Sequence, residues 1–327
     1  MNNLQKLLKM FFIIILLILT LTEILYFKIA DYYDIIDKPN YRSSHTEITI
    51  RGGGIIFFVS TFIYFIYSKY DYPYFFIGLT LATSISFLDD IFTLPNRYRL
   101  PFQFIAIGLI LYQLNICGNS LLLCLILVII GVGIINAYNF MDGINGITGG
   151  YSTIIVGALW FVNNYHVKFI ENDFLIFTIS GLMVFNYFNF RTKAKCFAGD
   201  VGSISIAVII VFLILKLIIM DRNLIYILFL GVYGVDSVLT IIHRIILKEN
   251  IFKAHRLHLF QVIVHILKIP HLVMSLIYML IQSIICYIVI FNLHYSLITQ
   301  LIAGFIIIFI LILTYIIIKR KVMDLAV

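Results

Sequence analysis

Residues 101–141 read "PFQFIAIGLILYQLNICGNSLLLCLILVIIGVGIINAYNFM", a run without one Asp, Glu, Lys or Arg. A helix needs about 20 apolar residues to cross a bilayer, so this run is too long for one crossing and fits two. The polar turn Cys117-Gly118-Asn119-Ser120 divides it. Residues 269–318 repeat the pattern, uncharged and broken at "NLHYS" (292–296). The same reading along the chain gives spans at roughly 10–29, 54–68, 73–91, 101–117, 120–138, 147–163, 174–190, 202–219, 223–243, 271–291 and 297–318. The chain is 62% hydrophobic and 12% charged, whereas a soluble domain carries about 25% charged residues. It reads as an all-α polytopic integral membrane protein of about eleven transmembrane helices, a single domain over residues 1–327. No small-x-small cleavage site follows the first apolar run, so that run reads as a retained span. Cys117, Cys124, Cys196 and Cys286 lack metal spacing and read as small apolar packers.

Basic residues set the expected orientation, because cytoplasmic loops retain them. Of the 23 Lys and Arg residues, 17 fall in alternate connections, around 28–51, 97–99, 191–195, 244–268 and 319–321. Lys6, Lys9, Lys69, Lys168 and Arg222 lie on the other side, and Lys216 can snorkel from a span end. The majority puts the N-terminus outside and the C-terminus in the cytoplasm. The basic connections also carry most of the unusual polar residues: "RSSHTEITIRGGG" (42–54), "FLDDIFTLPNRYRL" (87–100), "NFMDGING" (139–146), "RTKAKCFAGDVGS" (191–203) and "HRLH" (255–258). A site is therefore expected at the cytoplasmic membrane surface.

Each motif has a chemical reading and a plainer one. Asp89 and Asp90 end a span, where buried carboxylates want a cation and where negative charge opposes the helix macrodipole. The plainer reading is a solvated helix end. Asp200 sits between glycines before a helix and suits a hard cation such as Mg²⁺; otherwise it is an N-cap. His255 and His258 share a face if their segment is helical, and with Arg256 they suit phosphate better than zinc. Arg42, His45 and Arg51 beside three glycines can hold phosphates, or form a basic loop with a flexible hinge. No Walker lysine and no GxGxxG is present, and nothing points to nucleic acid. Asp236, inside a span, is a functional candidate or the partner of an interhelical bond. His166, His265, His271 and His294 read as interfacial or loop residues, and Lys248 and Lys253 as membrane anchors.

Together "RSSHT…RGGG", "FLDD…RLPFQ", "NAYNFMDGINGITGG", "FAGDVGS" and "HRLHLFQ", in this order over residues 40–261, resemble the polyprenyl-phosphate N-acetylhexosamine-1-phosphate transferases. This is the glycosyltransferase family 4 group that includes MraY, and the wording of "HRLHLFQ" is closer to its O-antigen and capsule branch. The resemblance implies an MraY-like bundle with cytoplasmic active-site loops. It implies transfer of a sugar-1-phosphate from a UDP-N-acetylhexosamine to undecaprenyl phosphate, with release of UMP. It implies Mg²⁺, or Mn²⁺, on Asp200 and Asp89. Asp89 or Asp90 would orient the lipid phosphate, and His255, Arg256 and His258 would hold phosphates. Asn139, Asp142 and Asn145, with Arg42, His45 and Arg51, would bind the nucleotide sugar. The expected partners are the lipid acceptor, the nucleotide sugar and the bilayer, with a homodimer as the candidate assembly. Two departures stand out. Asn145 replaces an expected carboxylate, and Ile48 and Ile50 replace expected prolines. The rival readings are a transporter using intramembrane carboxylates and a catalytically inactive relative.

Overall fold

A computed structural model describes residues 3–38, 48–116, 118, 120–250 and 256–325, with side chains from residue 10 onward. Arg42, His45, His255 and Cys117 lie outside the described residues. Twelve α-helices form among those described: α1 (Asn3–Tyr32), α2 (Ile55–Tyr67), α3 (Pro73–Phe92), α4 (Asn96–Gln113), α5 (Leu121–Met141), α6 (Ile147–Tyr165), α7 (Asn172–Asn189), α8 (Gly199–Asp221), α9 (Gly231–Ile246), α10 (Leu259–Leu267), α11 (His271–Asn292) and α12 (Leu297–Asp324). A 3-10 turn, Leu224–Leu230, runs directly into α9. Eleven helices coincide with the expected spans, and seven units are long and apolar enough to cross a membrane unaided.

The uncharged run of residues 101–141 does break where the polar turn lies. α4 ends at Gln113, and Ser120 starts α5 by accepting the Leu123 N–H at 3.2 Å. Such a cap satisfies one of the orphan donors of a helix start. Ser296 does the same for α12 through the Thr299 N–H at 3.3 Å.

The helix α8 is apolar on all sides, the pattern of a helix surrounded by protein. Of its apolar window 72% is buried, against 11% for α12, so α8 is the centre and α12 a lipid-facing border. α3, α5 and α2 pack on α8. Their stacked rings include Phe75 on Phe212, with centroids 4.1 Å apart. Helix direction alternates, so the motif-bearing connections meet at one end of the bundle. There β1 (Ile36–Asp37) pairs antiparallel with β2 (Thr49–Ile50), and Ile50 bridges Cys196 on its other side.

One helix lies outside the expected spans: residues 259–267 form α10, a nine-residue helix too short to cross a membrane. Its apolar face buries Leu259, Phe260, Val262, Ile263 and Val264. Cys196 and Cys286 are free buried thiols as expected, whereas Cys124 is disulfide-bonded.

Candidate active site

The site is built where the C-terminus of α3 meets the N-terminus of α8. Asp90 reaches across to α8 and accepts the N–H groups of Asp200 and Val201, each at 2.9 Å. A carboxylate that opposes the dipole of its own helix thus lies at the favourable end of another. The contact needs Gly199, whose φ is +70° and whose added Cβ would lie 2.5 Å from the Asp90 carboxylate. Beside it, an added Cβ on Gly54 would lie 2.3 Å from the Gly202 Cα. The three glycines of "RGGG" therefore do not serve as a hinge. They let the start of α2 lie on the start of α8, with Gly53 and Gly54 donating to the carbonyls of Phe197 and Ala198 at 2.9 and 3.1 Å.

Two guanidinium groups neutralise the carboxylates. Arg51 pairs with Asp90 at 2.8 Å and stands 3.9 Å from Asp200. Arg99, in the first turn of α4, binds Asp89 and Asp200 through one nitrogen and the Asn96 side chain through the other at 2.7 Å. Asp89 also accepts the Leu94 N–H. The roles of the aspartate pair thereby separate. Asp90 is committed to Arg51 and the α8 backbone, while Asp89 and Asp200 aim at a shared cation. Arg99 escaped the sequence reading because it was counted only as a positive-inside residue. Its signal was available: an arginine one short loop after an aspartate pair.

Asp89 and Asp200 fit a divalent metal. Their oxygens converge on a single cationic atom, the Arg99 Nη1, although they come from helices far apart in sequence. One or two carboxylates plus substrate phosphates is the usual protein share of a Mg²⁺ shell. The described residues contain no group of three or more acidic, His or Cys side chains placed for a metal, so phosphate oxygens and water would complete the shell.

The "NAYNFMDGINGITGG" segment forms the adjoining wall. Asn139 donates to the Ser203 hydroxyl at 3.0 Å, tying α5 to α8. Asp142 caps the end of α5, half-buried. Burial pushes its carboxyl up to about 6. Asn145 is buried, and its amide donates to the carbonyls of Arg191 and Thr192 at 2.9 and 3.1 Å. It braces the loop before α8 instead of reading a nucleotide through that amide. A carboxylate there would face two carbonyl oxygens with no proton to give, which accounts for the departure from the expected acid. Gly146, at φ +81°, and its neighbours pack against protein: added Cβ atoms on Gly146 and Gly149 would meet Phe190 and Asn186 at 2.3 Å. These glycines admit side chains of neighbouring helices, not a ligand.

The "HRLH" segment behaves differently from its expected helical face. Residues 256–258 precede α10, and His258 is its extended N-cap residue. Arg256 is half-buried, and its Nη2 is enclosed with no hydrogen-bond partner among the described residues. An enclosed guanidinium nitrogen of this kind suits an anion. His258 is buried, with its Nδ1 3.2 Å from Asp236. Two further buried groups were missed. Glu23 on α1 is fully buried and accepts the Cys196 thiol at 3.7 Å. Lys319 on α12 donates to the Leu257 carbonyl at 2.7 Å. An apolar cavity of about 270 Å³ lies between α9, α10, α11 and α12, with Asp236, Tyr278 and Tyr315 among its lining residues.

Fold and site define a class: an all-α, multi-pass membrane protein whose carboxylates and guanidinium groups converge at one end of the bundle. Residues 72–218 match the model of glycosyl transferase family 4. The matched stretch carries Asp89, Asp90, Arg99, Asn139, Asp142, Asn145 and Asp200. The chain is 25% identical to a probable undecaprenyl-phosphate N-acetylglucosaminyl 1-phosphate transferase of Bacillus subtilis, over 76% of this chain and 75% of that protein. It is 26% identical to the undecaprenyl-phosphate alpha-N-acetylglucosaminyl 1-phosphate transferase of Thermotoga maritima, over 69% and 71%. Over 52% of the chain and 58% of the relative, it is 28% identical to a phospho-N-acetylmuramoyl-pentapeptide-transferase of Dictyoglomus thermophilum.

Proposed function

We propose that the protein transfers the sugar-1-phosphate of a UDP-N-acetylhexosamine to undecaprenyl phosphate at the cytoplasmic face of the bacterial inner membrane, releasing UMP. The observation that carries this reading is the convergence of Asp89 and Asp200 on one cationic point beside Asn139 and Asp142. Names of the relatives support the general reaction and the polyprenyl-phosphate acceptor. The product would start a cell-surface glycan.

Phosphoryl transfer asks a protein mainly for alignment and charge neutralisation. Asp89 and Asp200 would hold Mg²⁺, or Mn²⁺. When bound, the metal supplies charge neutralisation at the diphosphate and at the leaving UMP. Asp90 fixes the start of α8, and with it Asp200. Arg99 and Arg51 bring positive charge beside the reacting phosphates, and the enclosed Nη2 of Arg256 addresses a phosphate oxygen. Asn139 and Asp142 are the groups best placed to read uracil or ribose. The lipid phosphate has a second pKa near 6, so no strong base is needed for its attack. The apolar cavity between α9 and α12 takes the isoprenoid units nearest the phosphate.

Purified protein should release UMP from a panel of UDP-N-acetylhexosamines only when undecaprenyl phosphate and a divalent metal are both present. UMP release without the lipid would overturn the reading. The best substrate of the panel identifies the sugar.

A further inference from the structure

Asp236 is a buried carboxylate with hydrogen-bond partners on both oxygens. Its Oδ2 accepts the Tyr278 hydroxyl at 2.6 Å. Its Oδ1 accepts the Leu259 N–H at 3.1 Å and the Thr240 hydroxyl at 3.2 Å, and it meets His258 Nδ1 at 3.2 Å. These groups come from α9, α10, α11 and the residue before α10, so one side chain gathers three helices. The chain of contacts continues from Thr240 to Tyr315 at 2.8 Å and from Tyr315 to Lys319 at 2.5 Å. Lys319 then returns to the Leu257 carbonyl. The segment next to Arg256 is thus held from both sides, by Asp236 on α9 and by Lys319 on α12.

We infer that Asp236 is a positioning residue that fixes the tautomer and ring orientation of His258, so that its Nε2 serves the phosphate-binding side of the site. An ionised carboxylate only accepts hydrogen bonds, so the shared proton sits on Nδ1. The partner on one ring nitrogen determines what the other can do. The ring stands against Phe140, centroids 6.4 Å apart, between Asn139 and Asp142 in the chain. Phe260 and Gln261 close over Gly143 in the same loop, where an added Cβ would meet them at 3.1 Å. The orientation of His258 is therefore tied to the wall that carries Asp142. The inference rests on the phosphate-binding role given to this segment above, but the orientation itself is measurable without turnover.

The test uses full-length protein in nanodiscs, labelled with ¹⁵N-histidine. His258→Gln assigns the His258 resonances by difference. The expected result is protonation at Nδ1 in the wild type and loss of that signature in Asp236→Asn. In the UMP-release assay, Asp236→Asn and His258→Gln should each lower kcat at least tenfold, with little change in KM for the UDP-sugar. The double variant should fall no more than about threefold further, as expected for groups acting as one unit. Tyr278→Phe keeps the ring shape and removes one donor to Asp236. It should give a partial, three- to tenfold loss that His258→Gln also masks, and it serves if Asp236→Asn does not fold. A wild-type His258 protonated on Nε2 alone, or losses that multiply in the double variants, would overturn the inference. An Nδ1-protonated His258 in a protein that releases no UMP with any UDP-sugar would sink the transferase reading and leave the positioning role standing.

Discussion

Among the described residues, two buried carboxylate clusters are neutralised in opposite ways. Asp89, Asp90 and Asp200 face guanidinium groups, with side chains that keep some exposure at Asp200 and Arg51. Asp236 is enclosed by hydroxyls, a backbone N–H and an imidazole, at 3% exposure. The guanidinium contacts can be exchanged, because another cation can take the place of Arg99 between Asp89 and Asp200. The contacts of Asp236 cannot be exchanged without unpacking three helices, since each leaves a buried polar group unsatisfied. On the proposed function, the first cluster would be the place where ligands come and go. The second would be the frame that holds the segment carrying Arg256.

That contrast can be broken in order of expected effect. Asp200→Asn should lower turnover by about 10³-fold, the scale of losing a main electrostatic stabiliser, while thermal stability stays near wild type. A variant with full activity would end the metal assignment. Arg99→Ala should lower kcat by about 10²-fold, yet tighten Mn²⁺ binding in the absence of substrate, because the carboxylates lose a competing cation. Weaker Mn²⁺ binding would mean that Arg99 shapes the site instead of competing for it. Asn145→Asp should leave the KM for the UDP-sugar unchanged and destabilise the fold by about 1–3 kcal/mol, since it exchanges two donated hydrogen bonds for repulsion. Denaturation in detergent and steady-state kinetics separate the two effects.

The smallest effect is a pH slope. Burial raises the Asp142 carboxyl from its ordinary range to about 6, so the folded protein holds a proton that the unfolded chain has lost. Where the folded state binds more protons, stability falls as pH rises. Asp142 should therefore contribute a fall in stability between about pH 4 and pH 6. Melting curves of Asp142→Asn across that window should show a flatter slope. An unchanged slope assigns the raised value to another group.

The fold was largely legible because apolar run length reports helices directly. The site was legible as a set of parts, Asp89, Asp90, Asp200 and Asp142 foremost, but not as an arrangement. Chain spacing says nothing of which helix ends touch, so the capping of α8 by Asp90 and the bridge made by Arg99 could not be read. Asn145 looked like a ligand group because polar residues are rare in apolar sequence. It and the glycines after it are there because loops and helices pack closely at this end. Asp236 and His258 were read separately, since their contact depends on a segment dipping into the bundle before α10.

The central claim is that Asp89 and Asp200 form the metal–nucleotide site that Arg99 closes when no ligand is bound. Mn²⁺ electron paramagnetic resonance on the wild-type protein with a UDP-N-acetylhexosamine tests it directly. The account predicts about one bound Mn²⁺ per chain, lost in Asp200→Asn and retained in Asp236→Asn. Equal Mn²⁺ binding by wild type and Asp200→Asn would contradict it.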